Sequence, residues 1–204
     1  MTTTKTITAK EVSELRQRTG AGMMDCKKVL EETNGDMDSA IELLRKRGVA
    51  KAENRAGRTV SEGLIGHYIH HNGKVAVLVE VNCETDFVAR TDDFKQLARS
   101  LAEHIAGHHP APIAVSKDQV PSDRVDQEKR IFEEQVKQSG KPANLVDKIV
   151  QGKLDSFYKE VSLLEQAWVR DDKITIGELV KQLSAKTGEN IQVRRFVRFQ
   201  IGEA

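Results

Sequence analysis

The sequence predicts an α+β protein: an N-terminal three-helix head, then a core in which a small antiparallel β-sheet is packed by helices and carries a helical hairpin. Three observations carry that expectation. Apolar residues recur at helical spacing through the first 48 residues. The period changes to alternation over residues 64–82, around an Asn72-Gly73 pair, which is a strong hairpin signal. Helical spacing then returns in several blocks before a last alternating run that starts at Ile191.

Each element of the head has a local cause. Thr8 followed by Glu11 forms a capping box, and Ile7 can staple onto Val12, so a helix starts there and runs through Leu15. Gly20-Ala21-Gly22 stops it. In the second helix Cys26, Val29 and Leu30 fall at i, i+3, i+4 on one face, and Asn34-Gly35 ends it. Asp36 is placed to cap a third helix whose Ala40, Ile41 and Leu44 form a matching stripe before Gly48. Helices this short bury little alone, so the three are expected to pack as a bundle over 1–48. Residues 49–61 carry Lys51, Arg55 and Arg58 with little apolar periodicity and read as a linker, with or without some helix.

The core is expected over 62–204. Two strands, Leu64 to His70 and Lys74 to Asn82, flank the Asn-Gly turn, and Val75, Val77, Val79 and Val81 mark a fully buried face. After Asp92 a helix carries Phe94, Leu97, Leu101 and Ile105 until Pro110 and Pro112. Two further amphipathic helices, one with Val125, Phe132 and Val136, the other with Leu145, Ile149, Leu154, Phe157 and Val161, are broken at Gly140-Lys141-Pro142. They fold back most simply as an antiparallel hairpin over 122–167. Thr175 and Glu178 form a second capping box for a helix that Gly188 stops. Ile191, Val193, Val197, Phe199 and Ile201 are expected to share one face of a final strand that joins the hairpin at 64–82.

Composition bounds the function. The 204 residues include 32 basic and 31 acidic side chains, a formal net charge of +1, which argues against nucleic acid as main ligand and suits a protein partner. Charged residues make up 31 % and aromatics 4 %, as in helix-rich proteins with exposed helical faces. No apolar run approaches the ~20 residues of a bilayer span. The polar start lacks the apolar stretch of a signal peptide, so the cytoplasm is the expected compartment. Cys26 and Cys83 fit no CxxC pattern and read as small buried side chains.

Three segments then resemble one family, in the family's order. Residues 15–28 (LRQRTGAGMMDCKK) are similar to the amino-terminal signature of elongation factor Ts, and residues 80–90 (EVNCETDFVAR) to its central signature. Residues 197–203 (VRFQIGE) resemble the end of the family's core. The resemblance implies a ubiquitin-associated-like (UBA-like) head that docks on the nucleotide domain of elongation factor Tu. It also implies a central motif that disturbs that GTPase's Mg²⁺. Carried over by motif, the wedge falls on Thr85, Asp86, Phe87 and Val88, and the head contacts on Arg16, Met23, Met24 and Lys27. The implied activity is guanine-nucleotide exchange on elongation factor Tu, GDP-bound and nucleotide-free, without catalysis or a cofactor, and without direct contact to nucleic acid or membrane. With one core lobe the chain resembles the family's short forms, which implies a homodimer.

Other readings stand beside this one. An aromatic after a strand is more often core than wedge; adjacent Met23 and Met24 cannot both face the head's core, so one is expected exposed, the plainer alternative being that the other is core; and Arg16 and Lys27 suit solvated helix positions. His104 and His108, beside His109, are spaced like a metal pair but lack an acidic or cysteine ligand. An adaptor with a helical head, or a small enzyme using Asp86 or His67, are the competing classes. No phosphate loop and no Ser-His-Asp or Cys-His arrangement stands out.

Overall fold

The computed structural model describes residues 6–139 and 142–202. The fold is α+β, with a three-stranded antiparallel sheet and several helices. By its internal contacts the chain forms two compact units: Met1–Gly63 with Asn82–Phe94 and Val180–Gln192, and Leu64–Val81 with Lys95–Leu179 and Val193–Ala204.

The first unit contains the head. Helix α1 (Ala9–Thr19) starts at the expected capping box: Thr8 Oγ1 accepts from the Glu11 N–H at 3.3 Å, and Glu11 Oε2 accepts from the Thr8 N–H at 2.8 Å. Gly20 ends it in the left-handed region, at φ 69°. Helix α2 (Met23–Glu32) ends at the Asn34-Gly35 turn, and α3 (Met37–Glu53) starts at Asp36, whose carboxylate accepts from the Ser39 N–H at 2.7 Å. Val12, Leu15, Cys26, Val29, Leu30 and Ala40 are buried together, with Ile7, Ile41 and Leu44 packed against them. A buried aliphatic side chain contributes about 1.5–3 kcal/mol, and helices this short depend on that burial.

Helix α3 does not stop at Gly48 as the sequence predicts; it continues to Glu53 and takes in the first residues of the expected linker. The glycine serves an approach between helices instead. A Cβ there would lie 2.9 Å from the Ala185 Cβ of α8 (Ile176–Thr187). Beyond α3, Arg55 donates to the Ser184 carbonyl at 3.2 Å, and Lys181 meets Glu53 at 2.6 Å.

In the second unit lies most of the sheet, ordered β1-β2-β5 from β1 (Glu62–Ile69), β2 (Val75–Cys83) and β5 (Gln192–Gln200). Val77, Val79 and Val81 form its buried face, as alternation requires. Gly66 lets α5 (Asp92–Gly107) approach β1 closely, since a Cβ at Gly66 would sit 2.5 Å from the Ala98 carbonyl oxygen. Leu97, Leu101 and Ile105 are buried along α5. The last strand departs from expectation. Ile191 and Val193 are buried, but Arg194 and Arg195 are both exposed. The alternation therefore slips by one, and Val197, Phe199 and Ile201 are exposed. Both arginines reach Glu80, at 3.6 and 2.7 Å.

Helices α6 (Ser122–Gln138) and α7 (Ala143–Val161) pack through Val125, Phe132 and Val136 on one and Val150, Leu154 and Tyr158 on the other. Gly140 and Lys141 of the expected break lie outside the described residues. Helix α7 ends at Val161, short of 167; a 3-10 turn at Leu163–Glu165 follows, then a small antiparallel pair, β3 (Ala167–Trp168) with β4 (Asp171–Thr175). Sequence reasoning missed that pair because a two-residue strand carries no period. The Thr175–Glu178 capping box is present, at 3.0 and 3.1 Å.

Candidate functional site: a lashed one-turn helix with an exposed aromatic

β2 runs through buried Cys83 directly into a one-turn helix, α4 (Asp86–Ala89). Thr85 caps it: the hydroxyl oxygen accepts from the Val88 N–H at 3.4 Å. Thr91 closes the far end by donating to the Val88 carbonyl at 2.7 Å. Ala89 is buried and pins one side of the turn. Phe87, two residues away and so about 200° round the helix, must face outward. It is 79 % exposed, which removes the reading of Phe87 as core. Asp86 is partly buried and pairs with Arg90 at 2.8 Å, and Val88 is partly buried.

Four residues cannot hold a helix on their own hydrogen bonds, so external groups fix this turn. Glu189 supplies most of them. Its Oε2 accepts from the backbone N–H groups of Glu84 and Thr85, each at 3.1 Å, and its Oε1 accepts from the Thr85 hydroxyl at 2.6 Å. The attachment is reciprocal, because Glu84 Oε1 accepts from the Asn190 N–H at 2.6 Å. That N–H, then the Arg58 guanidinium 3.4 Å away, hold the Glu84 carboxyl below the usual carboxylate range against the effect of desolvation. Buried Asn190 also donates to the carbonyls of Ala56 and Arg58, at 3.3 and 2.8 Å. The segment after α3 is thus tied to the same knot.

Cys83 lies under the turn with its thiol 3.2 Å from the Thr85 carbonyl. Burial, then the nearby Glu189 charge, push its pKa up to about 11, so it is a thiol at neutral pH and not a nucleophile.

On the head, Arg16 and Lys27 are exposed, the latter 3.8 Å from Glu31. Met23 is 52 % and Met24 77 % exposed, so both stand at the surface and the alternative that puts one of them in the head's core does not hold. Cys26, Val29 and Leu30 on the same helix already occupy that position. His104 is fully buried with both ring nitrogens in hydrogen bonds, which leaves it no lone pair for a metal. Among the described residues no three His, Cys, Asp or Glu side chains gather as a metal-binding group, and no helix is long and apolar enough to cross a membrane.

Sequence reasoning placed Thr85, Asp86, Phe87 and Val88 together but missed Glu84, Glu189, Asn190 and Arg58, which hold them. Glu84 and Glu189 are far apart in the chain, and no local period or cap links them.

A family model described as "Elongation factor TS" matches residues 2–203. Proteins named Elongation factor Ts are similar along nearly the whole chain. That of Fervidobacterium nodosum is 58 % identical over 97 % of this chain and 99 % of its own length. That of Carboxydothermus hydrogenoformans is 52 % identical, covering 97 % and 90 %. That of Thermotoga maritima is 52 % identical, covering 94 % of each. The chain belongs to the elongation factor Ts family of translation elongation factors.

Proposed function

We propose that this protein is a guanine-nucleotide exchange factor that binds GDP-bound elongation factor Tu, disturbs its Mg²⁺ and phosphate site, and promotes GDP release so that GTP can rebind. The observation that carries the reading is Phe87: a large aromatic, almost fully exposed, on a turn that is capped and lashed from outside. Exposed aromatics on a rigid support are the usual anchors of protein interfaces. GTPases hold Mg²⁺ through a P-loop hydroxyl and an acidic residue while backbone amides cradle the phosphates. Inserting Phe87 beside that site displaces those groups, and phosphates without their cation bind weakly. Asp86, paired with exposed Arg90, can give up that pair to compete for the backbone donors of the phosphate site or repel a nearby carboxylate.

No bond is made or broken, so the protein acts as a binding partner and not as an enzyme. Linkage supplies the rest: a factor that weakens GDP binding is itself displaced by nucleotide to the same degree. The three-helix bundle is read as a UBA-like head over 1–48, with Arg16, Met23, Met24 and Lys27 as its contacts. Residues 49–61 serve as the connection, and 62–204 as the core that dimerises. Support for a homodimer comes from the exposed face of the sheet, which carries Ile65, Ile69, Leu78, Val197 and Phe199. The compartment is the cytoplasm, and nucleic acid is not contacted directly.

The test is release of a fluorescent GDP analogue from purified elongation factor Tu, with wild-type protein and with Phe87→Ala. Strong acceleration that the variant largely loses is the expected result. No acceleration by folded wild-type protein with a cognate partner would remove the proposal.

A further inference from the structure

We propose that Glu189 is a positioning residue for exchange: its carboxylate fixes the start of α4 so that Phe87 stands in one orientation before the partner arrives. The inference rests on the wedge reading of Phe87 given above.

The hydrogen-bond directions carry it. A threonine hydroxyl has one proton and two acceptor lone pairs. At Thr85 the proton goes to Glu189 Oε1, which leaves the oxygen to accept from the Val88 N–H as helix cap. Glu189 therefore orients the cap as well as the backbone. Its other oxygen takes both N–H groups that precede the helix, Glu84 and Thr85, so three donors converge on one side chain. Carboxylate acceptors form the stronger class of hydrogen bond.

Glu189 is itself held. It follows Gly188, which turns the chain at φ 79° after α8, and its carbonyl accepts from the Ser184 hydroxyl at 2.5 Å. Because Glu84 returns a carboxylate to the Asn190 N–H, the two segments are fastened at two points and cannot pivot about one. Phe87 has almost no packing of its own to set its direction, so its orientation is inherited from the backbone that Glu189 holds. Glu189 does not touch the partner in this scheme. Its effect passes through the turn.

The experiment measures the maximal rate of fluorescent GDP release from elongation factor Tu at saturating factor, for wild type, Glu189→Ala, Phe87→Ala and the double variant. Amide hydrogen exchange over residues 84–90 of the free full-length protein is followed alongside. Glu189→Ala is expected to lower the maximal rate roughly tenfold, because small misplacement of a working group is costly. It should speed amide exchange in that segment alone and add nothing in the Phe87→Ala background. Glu189→Gln should restore part of the rate: its carbonyl oxygen still accepts from both backbone N–H groups, but its amide can only donate to the Thr85 oxygen, so the hydroxyl proton loses the acceptor that orients the cap. If Glu189→Ala does not fold, Glu189→Asp, one methylene too short to reach all three donors, takes its place with the same expectations.

A full maximal rate for the Glu189 variant, with Phe87→Ala impaired, overturns this inference and leaves the wedge reading intact. Effects that multiply in the double variant also overturn it, because Glu189 would then act somewhere other than through Phe87. Release unaffected by Phe87→Ala removes the wedge reading and this inference together.

Discussion

Lowering the pH from 7 towards 4 should loosen the second unit through one side chain, His104. The ring is fully buried; Nδ1 accepts from the Val169 N–H at 3.3 Å, which leaves Nε2–H to donate to Gln166 Oε1 at 3.0 Å. Gln166 in turn donates to the carbonyls of Pro110 and Glu160, at 3.3 and 2.6 Å, so the neutral ring completes a network with each of these groups paired. Protonation puts an N–H where Val169 already presents one, and a charge where no water reaches. Burial, then the His108 ring beside it, push the pKa from 6.5 down to about 4, against the opposing pull of Gln166. The folded value lies below the unfolded one, so the unfolded chain takes up the proton first as pH falls. Stability from this group is complete above pH 6.5 and is lost between 6.5 and 4. At 1.36 kcal/mol per pH unit the loss is about 2 kcal/mol by pH 5 and about 3 by pH 4. For a chain this long, 2 kcal/mol corresponds to roughly 4–8 °C in melting temperature. Melting curves every half unit from pH 7.5 to 4.5, on wild type and His104→Gln, provide the measurement. The variant should start less stable and then run nearly flat down to pH 5. The carboxyls of Asp36, Glu42 and Glu84 are held below their usual range, so their contribution falls away at lower pH and does not mimic the effect. Parallel declines in the two proteins would refute the reasoning.

Other expectations follow from burial and close approach. Phe87→Ala should leave thermal stability within about 0.5 kcal/mol of wild type while impairing GDP release, because the side chain is exposed in the free protein; a large drop in melting temperature would show that it packs after all. Gly66→Ala should cost about 2–3 kcal/mol, since the new methyl meets the Ala98 backbone, which cannot rotate away; denaturant titration tests it, and unchanged stability would argue against the close approach. Phe199→Lys should convert a dimer to a monomer by light scattering, and a monomeric wild type at high concentration would dispose of the dimer.

Much of the fold was legible because its causes are local. The boxes at Thr8–Glu11 and Thr175–Glu178, the Asp36 cap, the valine alternation of β2 and the apolar stripe of α5 all act within a few residues of themselves. The errors share another origin. Gly48 is a helix stop by propensity but is an interhelical contact in the fold, because what decides its role is Ala185. The β5 face departs from simple alternation because one slip at Arg194-Arg195 reverses every later side chain. At the site the sequence placed Phe87 by motif, yet whether it was core or surface depended on Ala89 turning inward. The groups that hold it come from chain segments that no periodicity connects.

The lashing of Thr85 by Glu189 also sets an order in time. A ribosome emits the Phe87 segment long before residue 189, and the Asn190 side chain that ties down Ala56 and Arg58 is the next residue after it. Loops closed over such separations form late, after the local helices. A nascent chain that has not yet reached Glu189 therefore carries its aromatic on an unfastened segment, and the carboxylate that organises it arrives 104 residues after Thr85.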